Sequence, residues 1–314
     1  MGRKRANLLG VLIILSVWAS KLAAQQPAAD SVYPFSRLEV IKGSIFGLPN
    51  DERTWTPLPA ATLFTEGWRE PWIAPPAGSG GAPRQGWINV FDGHFNRNGF
   101  FIYAFTDGRA NGGEMHEGLF FFQSPLSRRL YLTFIVPFVS ISRGNFDLTD
   151  DEDFGDISIA PGVMIHESEN LSVSGHLNIR TPTGEPETGG ELTRLFPNLQ
   201  FWWNVVDGWV MRGGGGLEIP LDEPQGPDGI WINTLGIGKV LTPHEAAPFG
   251  DLAIFLATLT RTELGGPGDT FVSLTPGFRT HLGRDFFLLG GLEVPVTGPK
   301  SFDQRWIFLF VKGF

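Results

Sequence analysis

An antiparallel transmembrane β-barrel of about twelve strands, preceded by an irregular Pro/Trp-rich segment, is the fold this 314-residue chain predicts. Three observations carry that prediction. Strand-length runs alternate apolar and polar residues, the connections alternate short and long, and the last strand ends in phenylalanine.

An export signal precedes all three. Arg3, Lys4 and Arg5 lead into an apolar stretch from Leu8 to Ala19, and Leu22-Ala23-Ala24 runs into Gln25. A positive start, a short apolar core and small residues at a cut point make a cleavable secretory signal. Its core falls short of the roughly 20 residues a membrane-spanning helix requires. Residues 1–24 are therefore assigned to the signal, 25–86 to a Pro/Gly/Trp-rich lead-in and 87–314 to the barrel.

Composition excludes several classes. There are 33 acidic and 24 basic residues, for a net charge of −9. Loss of the signal removes Arg3, Lys4, Arg5 and Lys21 and no acid, so the exported chain is more acidic still. Nucleic acid is a poor partner for such a surface, because a phosphate backbone demands a basic face. With no cysteine, a disulfide scaffold, a thiolate metal site, a cysteine nucleophile and a lipidated N-terminal cysteine are all excluded. No cofactor is called for. An exported chain of this size held without disulfides needs another closure, and backbone pairing in a closed sheet supplies it.

The alternation is clearest from Gly155 to His166, where Ile157, Ile159, Val163 and Ile165 share one face and Asp156, Ser158, Ala160 and Gly162 the other. Leu171, Val173, Leu177 and Ile179 then alternate with Ser172, Ser174, His176, Asn178 and Arg180. Leu199, Phe201, Trp203 and Val205 alternate with Asn198, Gln200, Trp202 and Asn204. Val272, Leu274 and Phe278 do so with Ser273, Thr275, Gly277, Arg279 and His281. Barrel strands behave this way because one face meets lipid and the other the lumen. Counted from the C-terminus, strands are expected near 302–314, 285–296, 270–282, 248–261, 229–241, 208–220, 198–206, 170–181, 154–166, 129–142, 114–123 and 98–106. The runs 229–241 and 248–261 are apolar on both faces, so their orientation stays open.

Connections at 167–169, 207–208 and 283–284 are tight, whereas 143–153, 182–197, 221–228 and 262–269 are long and polar. In bacterial barrels the short turns are periplasmic and the long loops external. The connection 241–250 departs from this, being too long for a tight turn. In the last strand Trp306, Phe308, Phe310 and Phe314 share a face. That ending resembles the signal read by the outer-membrane assembly machinery, although Lys312 stands where such signals prefer an apolar residue.

The lead-in has no period. Pro57, Pro59, Pro71, Pro75, Pro76 and Pro83 accompany Trp55, Trp68 and Trp72. Such backbone cannot face lipid, where each unpaired amide costs several kcal/mol. It is expected in the periplasm or packed in the lumen, with Trp87 to Phe95 read as an extra half-strand or a long start to the first strand.

Phe154-Gly155-Asp156-Ile157 opening one strand and Thr181-Pro182-Thr183-Gly184 closing the next resemble motifs of the outer-membrane family named after the meta-pathway of phenol degradation. The resemblance covers about residues 87–314, with Asp153 where that family usually has glycine. It implies a barrel carrying small hydrophobic or aromatic compounds across the outer membrane. It supplies no binding motif, and the lead-in has no counterpart in it.

Lumen-facing positions are therefore the candidate selectivity residues: Asp156, His176, Asn178, Arg180, Gln200, Asn204, Arg212, Glu218, Arg279, His281 and Glu293. Opposed acids and bases there make either a selective constriction or an ion-pair network that fills the lumen. The acids Asp147, Asp150, Asp151, Glu152 and Asp153 lack EF-hand spacing and read as an outer loop bridged to lipopolysaccharide. Gly213 to Gly216 are expected to let a bulky neighbour such as Trp202 lie flat against the wall. Catalysis is not expected: Ser174 with His176, and Ser273 and Thr275 with His281, face inward, away from the lipid rim a lipid-modifying barrel needs. The expected function is passage of a small solute through a monomeric or weakly oligomeric barrel. The alternative is a non-conducting structural barrel, or one that docks a periplasmic partner.

Overall fold

The computed structural model describes residues 34–49, 51–109, 113–142, 151–184, 192–221, 226–246, 248–265, 268–298 and 300–314. The expected signal and the loop acids Asp147 and Asp150 lie outside them. All the described strands lie within one compact unit, Leu38–Phe314.

One helix, α1 (Arg37–Phe46), opens the described part, and two single 3-10 turns follow at Ala60–Thr62 and Ser79–Gly81. The strands are β1 (Asn98–Asp107), β2 (Glu114–Pro125), β3 (Leu130–Ser142), β4 (Asp151–Phe154) and β5 (Ser158–Glu167). β6 (Leu171–Arg180), β7 (Arg194–Val206), β8 (Trp209–Pro220) and β9 (Gly229–Val240) continue the wall. β10 (Gly250–Leu264), β11 (Thr270–Gly283), β12 (Phe286–Pro295) and β13 (Gln304–Gly313) complete it.

Each strand pairs antiparallel with its neighbours, and β1 pairs with β13 from Asn98↔Gly313 to Asp107↔Gln304. The sheet is thus closed through β1 and β13, which removes the open edges of a flat sheet. β4 and β5 both pair with β3, at Phe138–Ile141 and Leu130–Ile135 respectively, so they form one broken stave and the barrel has twelve. The break falls opposite Pro137, which has no N–H to give the ladder; Gly155 N–H still donates to its carbonyl at 3.0 Å.

The two faces are now unambiguous. On β9, Trp231, Leu235 and Ile237 are exposed while Thr234, Gly236 and Gly238 are buried. On β10, Ile254 and Leu256 are exposed and Ala253, Phe255 and Ala257 are buried. The inward face of these two strands sets small residues, Gly236, Gly238, Ala253 and Ala257, around Phe255, a distinction that hydropathy alone does not register. The outward side chains form an apolar belt of Leu, Ile, Phe and Trp that only lipid can solvate favourably. Trp306, Phe308, Phe310 and Phe314 belong to that belt.

Gly213 to Gly216 of β8 have a different role from the expected one. A Cβ on any of them would lie 2.1–2.2 Å from an atom of β7 or β9 (carbonyl oxygens of Thr234, Leu199 and Pro197, and Asn233 Oδ1). They permit close approach of neighbouring strands, while Trp202 rests on Gly78 and Arg84 of the lead-in. Four β-bulges, in the β5–β6, β7–β8, β10–β11 and β11–β12 pairs, all lie near the short-turn rim, where bulges commonly re-aim side chains.

Placing a charge in the lipid belt should test the assignment of faces. Leu235→Arg is expected to lower the unfolding free energy in vesicles by about 2–4 kcal/mol, the depth-dependent cost of a midplane arginine, measured by denaturant titration.

Candidate functional site

The lumen is occupied by the chain's own lead-in. At the short-turn rim, Leu58 and Glu167 exchange both backbone hydrogen bonds at 2.8 Å, and Trp55 Nε1 donates to Glu167 Oε2 at 3.0 Å. The β2–β3 turn contributes two arginines. Arg128 pairs with Glu70 at 2.9 Å and donates to the Thr56 carbonyl. Arg129, fully buried, donates to the carbonyls of Glu66, Pro59 and Met164 at 3.1, 3.1 and 2.9 Å. This clamp escaped the sequence reading, which looked for function on strand faces; its only sequence signal is an Arg-Arg pair in a tight turn.

From Gly78 the chain climbs inside. Ser79 N–H donates to Asn170 Oδ1 at 2.8 Å, its carbonyl accepts from Asn204 Nδ2 at 2.7 Å, and Arg84 lies 4.7 Å over the Trp202 ring. Trp87 stacks on Phe255 at 5.0 Å, and Gly238 leaves room for it, since a Cβ there would come 2.7 Å from the indole. Arg212 holds the far side, donating to the carbonyls of Gln85 and Phe91 and pairing with Asp92. Arg279 Nη1 reaches the Gly86 carbonyl at 3.3 Å. Three wall side chains then catch the strap: Thr275 accepts from Asn89 at 2.9 Å, Thr234 from Phe91 N–H at 3.0 Å, and Gln200 from Gly93 N–H at 3.2 Å. Phe95 stacks on Tyr131 at 4.4 Å.

Trp87 to Phe95 is therefore neither a half-strand nor a start to β1. Asn89 and Gly93 adopt φ of 55° and 69°, which breaks any extended run, and the apolar residues that suggested a strand are buried against the lumen wall instead.

Above this strap lies a cavity of about 520 Å³, floored by Trp87 to Asp92 and His94. One wall is apolar: Phe100 and Ile102 of β1, Leu119 and Phe121 of β2, Ile307 and Leu309 of β13. The facing wall carries His176, Asn178, Asn198 and Gln200. Arg305 of β13 belongs to the first wall, 3.5 Å from Glu117 and 3.7 Å from Glu293. Burial, together with the positive charges of Arg212 and Arg84, holds the His94 imidazole well below its usual pKa and hence neutral.

The eleven lumen-facing candidates fall into separate groups. Arg212, Arg279, Asn204 and Gln200 bind the strap, whereas His176 and Asn178, with Gln200, line the cavity. Asp156 sits at the long-loop side, accepting from Gly184 N–H at 3.1 Å and lying 3.9 Å from Arg180, and Glu218 pairs with Arg194 at 3.2 Å. Glu293 accepts from Ser273 at 2.6 Å. His281 lies toward the short-turn rim, its ring stacked on His244 at 4.2 Å. Ser174 Oγ meets His176 Nε2 at 2.9 Å, inside the barrel. The apolar inward wall was missed because β1, β2 and β13 are hydrophobic on both faces, which hides a lumen-facing position among lipid-facing ones.

A closed twelve-stave barrel with a lipid belt is an outer-membrane barrel, and solved structures agree on the fold. An outer membrane channel from Pseudomonas putida F1 superposes with a TM-score of 0.56 at 15% identity, covering 73% of this chain and 99% of that one. The KdgM porin superposes with a TM-score of 0.50 at 8% identity, covering 69% and 99%. No family model and no curated protein matches the sequence.

Two outcomes follow for the strap. Arg212→Ala leaves Asp92 and two carbonyls without their buried partner, at a cost of about 3–5 kcal/mol; protease cleavage within 78–95 should rise sharply while the barrel stays intact. Acidification should act in the same direction. A histidine whose folded pKa is depressed contributes stability above its unfolded value, near 6.5, and loses it as pH falls. Strap protection should therefore decline below pH 6.5 in the native chain and less so in His94→Gln.

Proposed function

We propose that the protein is an outer-membrane channel for a small, largely apolar solute of aromatic dimensions, bound in the cavity above the strap. The observation that carries this reading is the apolar wall of β13, β1 and β2. A water-filled pore needs a polar interior, whereas a cavity of about 520 Å³ with a hydrophobic wall and a few polar groups is the usual form of a small-molecule site. Stacked rings at Phe100 and Phe121, 4.5 Å apart, favour a flat guest. The resemblance to the phenol meta-pathway family supports the same solute class. In this reading His176, Asn178, Gln200 and Arg305 orient the solute, and the strap restricts passage below it. Trp306, Phe308, Phe310 and Phe314 serve assembly and lipid contact.

A structural barrel that passes nothing is the second reading, favoured by the density of bonds from Arg212 and Arg279 to the strap.

Naphthalene binding by the refolded protein separates the two. Saturable binding that quenches tryptophan fluorescence, weakened at least about tenfold (1.4 kcal/mol) by Phe121→Asp, is the expected result. Absence of binding would favour the structural barrel, and binding indifferent to Phe121→Asp would place the solute elsewhere.

A further inference from the structure

The connection between β9 and β10 is longer than a tight barrel turn needs, and it carries His244. Beside it β10 starts with a bulge, where the register shifts between Gly250 and Ala253 and Asp251 takes a φ of 48°. That bulge turns the buried Asp251 carboxylate to His244, Oδ2 to Nδ1 at 2.7 Å. From β11, His281 stacks its ring on His244 at 4.2 Å, and its Nδ1 lies 3.3 Å from the His244 carbonyl. Its Nε2 is buried and meets no hydrogen-bond partner among the described residues. One ligand atom from each of the three residues lies within 4.8 Å of the others. Arg279, two residues away, is turned to the Gly86 carbonyl and the Phe287 ring.

We propose that His244, Asp251 and His281 form a binding site for a divalent metal ion of the zinc type at the short-turn rim. Two imidazoles and one carboxylate suit zinc and its first-row neighbours, and not calcium or magnesium, which take oxygen ligands. A tetrahedral ion with bonds of about 2.1 Å sets its ligands roughly 3.4 Å apart. The stacked rings do not yet aim at one point, so the half-exposed His244 swings off the His281 ring to reach that spacing, while Asp251 and His281 hold their places. Asp251 and His281 are buried and fixed by their strands, while His244 is half-exposed on the connection. The ion is therefore reached from solvent, which supplies the fourth ligand. The site depends neither on the cavity nor on solute passage.

The test uses the untagged exported chain, refolded in detergent and titrated with cobalt(II), with zinc as competitor. The result expected is one equivalent of cobalt with visible absorption bands, displaced by zinc. His281→Gln and His244→Gln should each weaken it at least about tenfold, and His166→Gln should leave it unchanged. His244 is on the exposed connection, so its variant carries the test even if the buried substitution impairs folding. Absence of stoichiometric uptake, or uptake that survives His244→Gln, would overturn the proposal.

Discussion

Lipid offers no hydrogen bonds, and this constraint organises the molecule. Every backbone amide of a membrane strand must find its partner in another strand, so the sheet closes through β1 and β13 and the chain is left with an interior. Twelve strands enclose a lumen too wide for wall side chains alone to fill. The lower part is filled by residues 78–95 instead, held by Arg212, Arg279, Thr234, Thr275 and Gln200. Small residues on the inner faces of β9 and β10 exist for this reason. Gly236, Gly238 and Ala257 give the strap its space, and Phe255 gives Trp87 a surface to stack on.

The strap's stability combines two kinds of contact. Burying Trp87, Ile88 and Phe95 contributes about 1.5–3 kcal/mol per large side chain, without fixing an orientation. Arg212 fixes it, because its fork geometry satisfies two carbonyls and Asp92 at once. Directional polar contacts and non-directional apolar ones thus divide the work between register and affinity. Above the strap the balance shifts: the wall of β1, β2 and β13 is largely apolar, and hydrogen-bonding groups come from β6 and β7 and from Arg305 with Glu117.

Much of this was legible in the sequence where a local pattern exists. The period-2 alternation placed twelve staves, and β6, β7 and β11 show the face assignments read from it, with Ser172, Ser174, Trp202, Asn204, Ser273 and Thr275 buried. What sequence could not give is non-local. Arg212 reads as one lumen charge among several until Gln85, Phe91 and Asp92 are seen against it. Trp87 to Phe95 reads as a strand because burial in a lumen and burial in a wall select the same apolar residues. His244, Asp251 and His281 are scattered over 38 positions and meet only because a bulge and an overlong turn bring them to one rim. β4 falls in the stretch 143–153 that reads as loop, because Asp151, Glu152 and Asp153 offer no apolar alternation, and Pro137, opposite which it parts from β5, belongs to a different strand.

The central claim is that the lead-in closes the lumen to ions below an apolar cavity, and single-channel recording in a planar bilayer tests it most directly. The chain starting at Gln25 should show no steady ionic step, while a chain from which 25–95 are deleted should open a stable one. A large steady conductance in the intact chain, or none in the deletion, would contradict it.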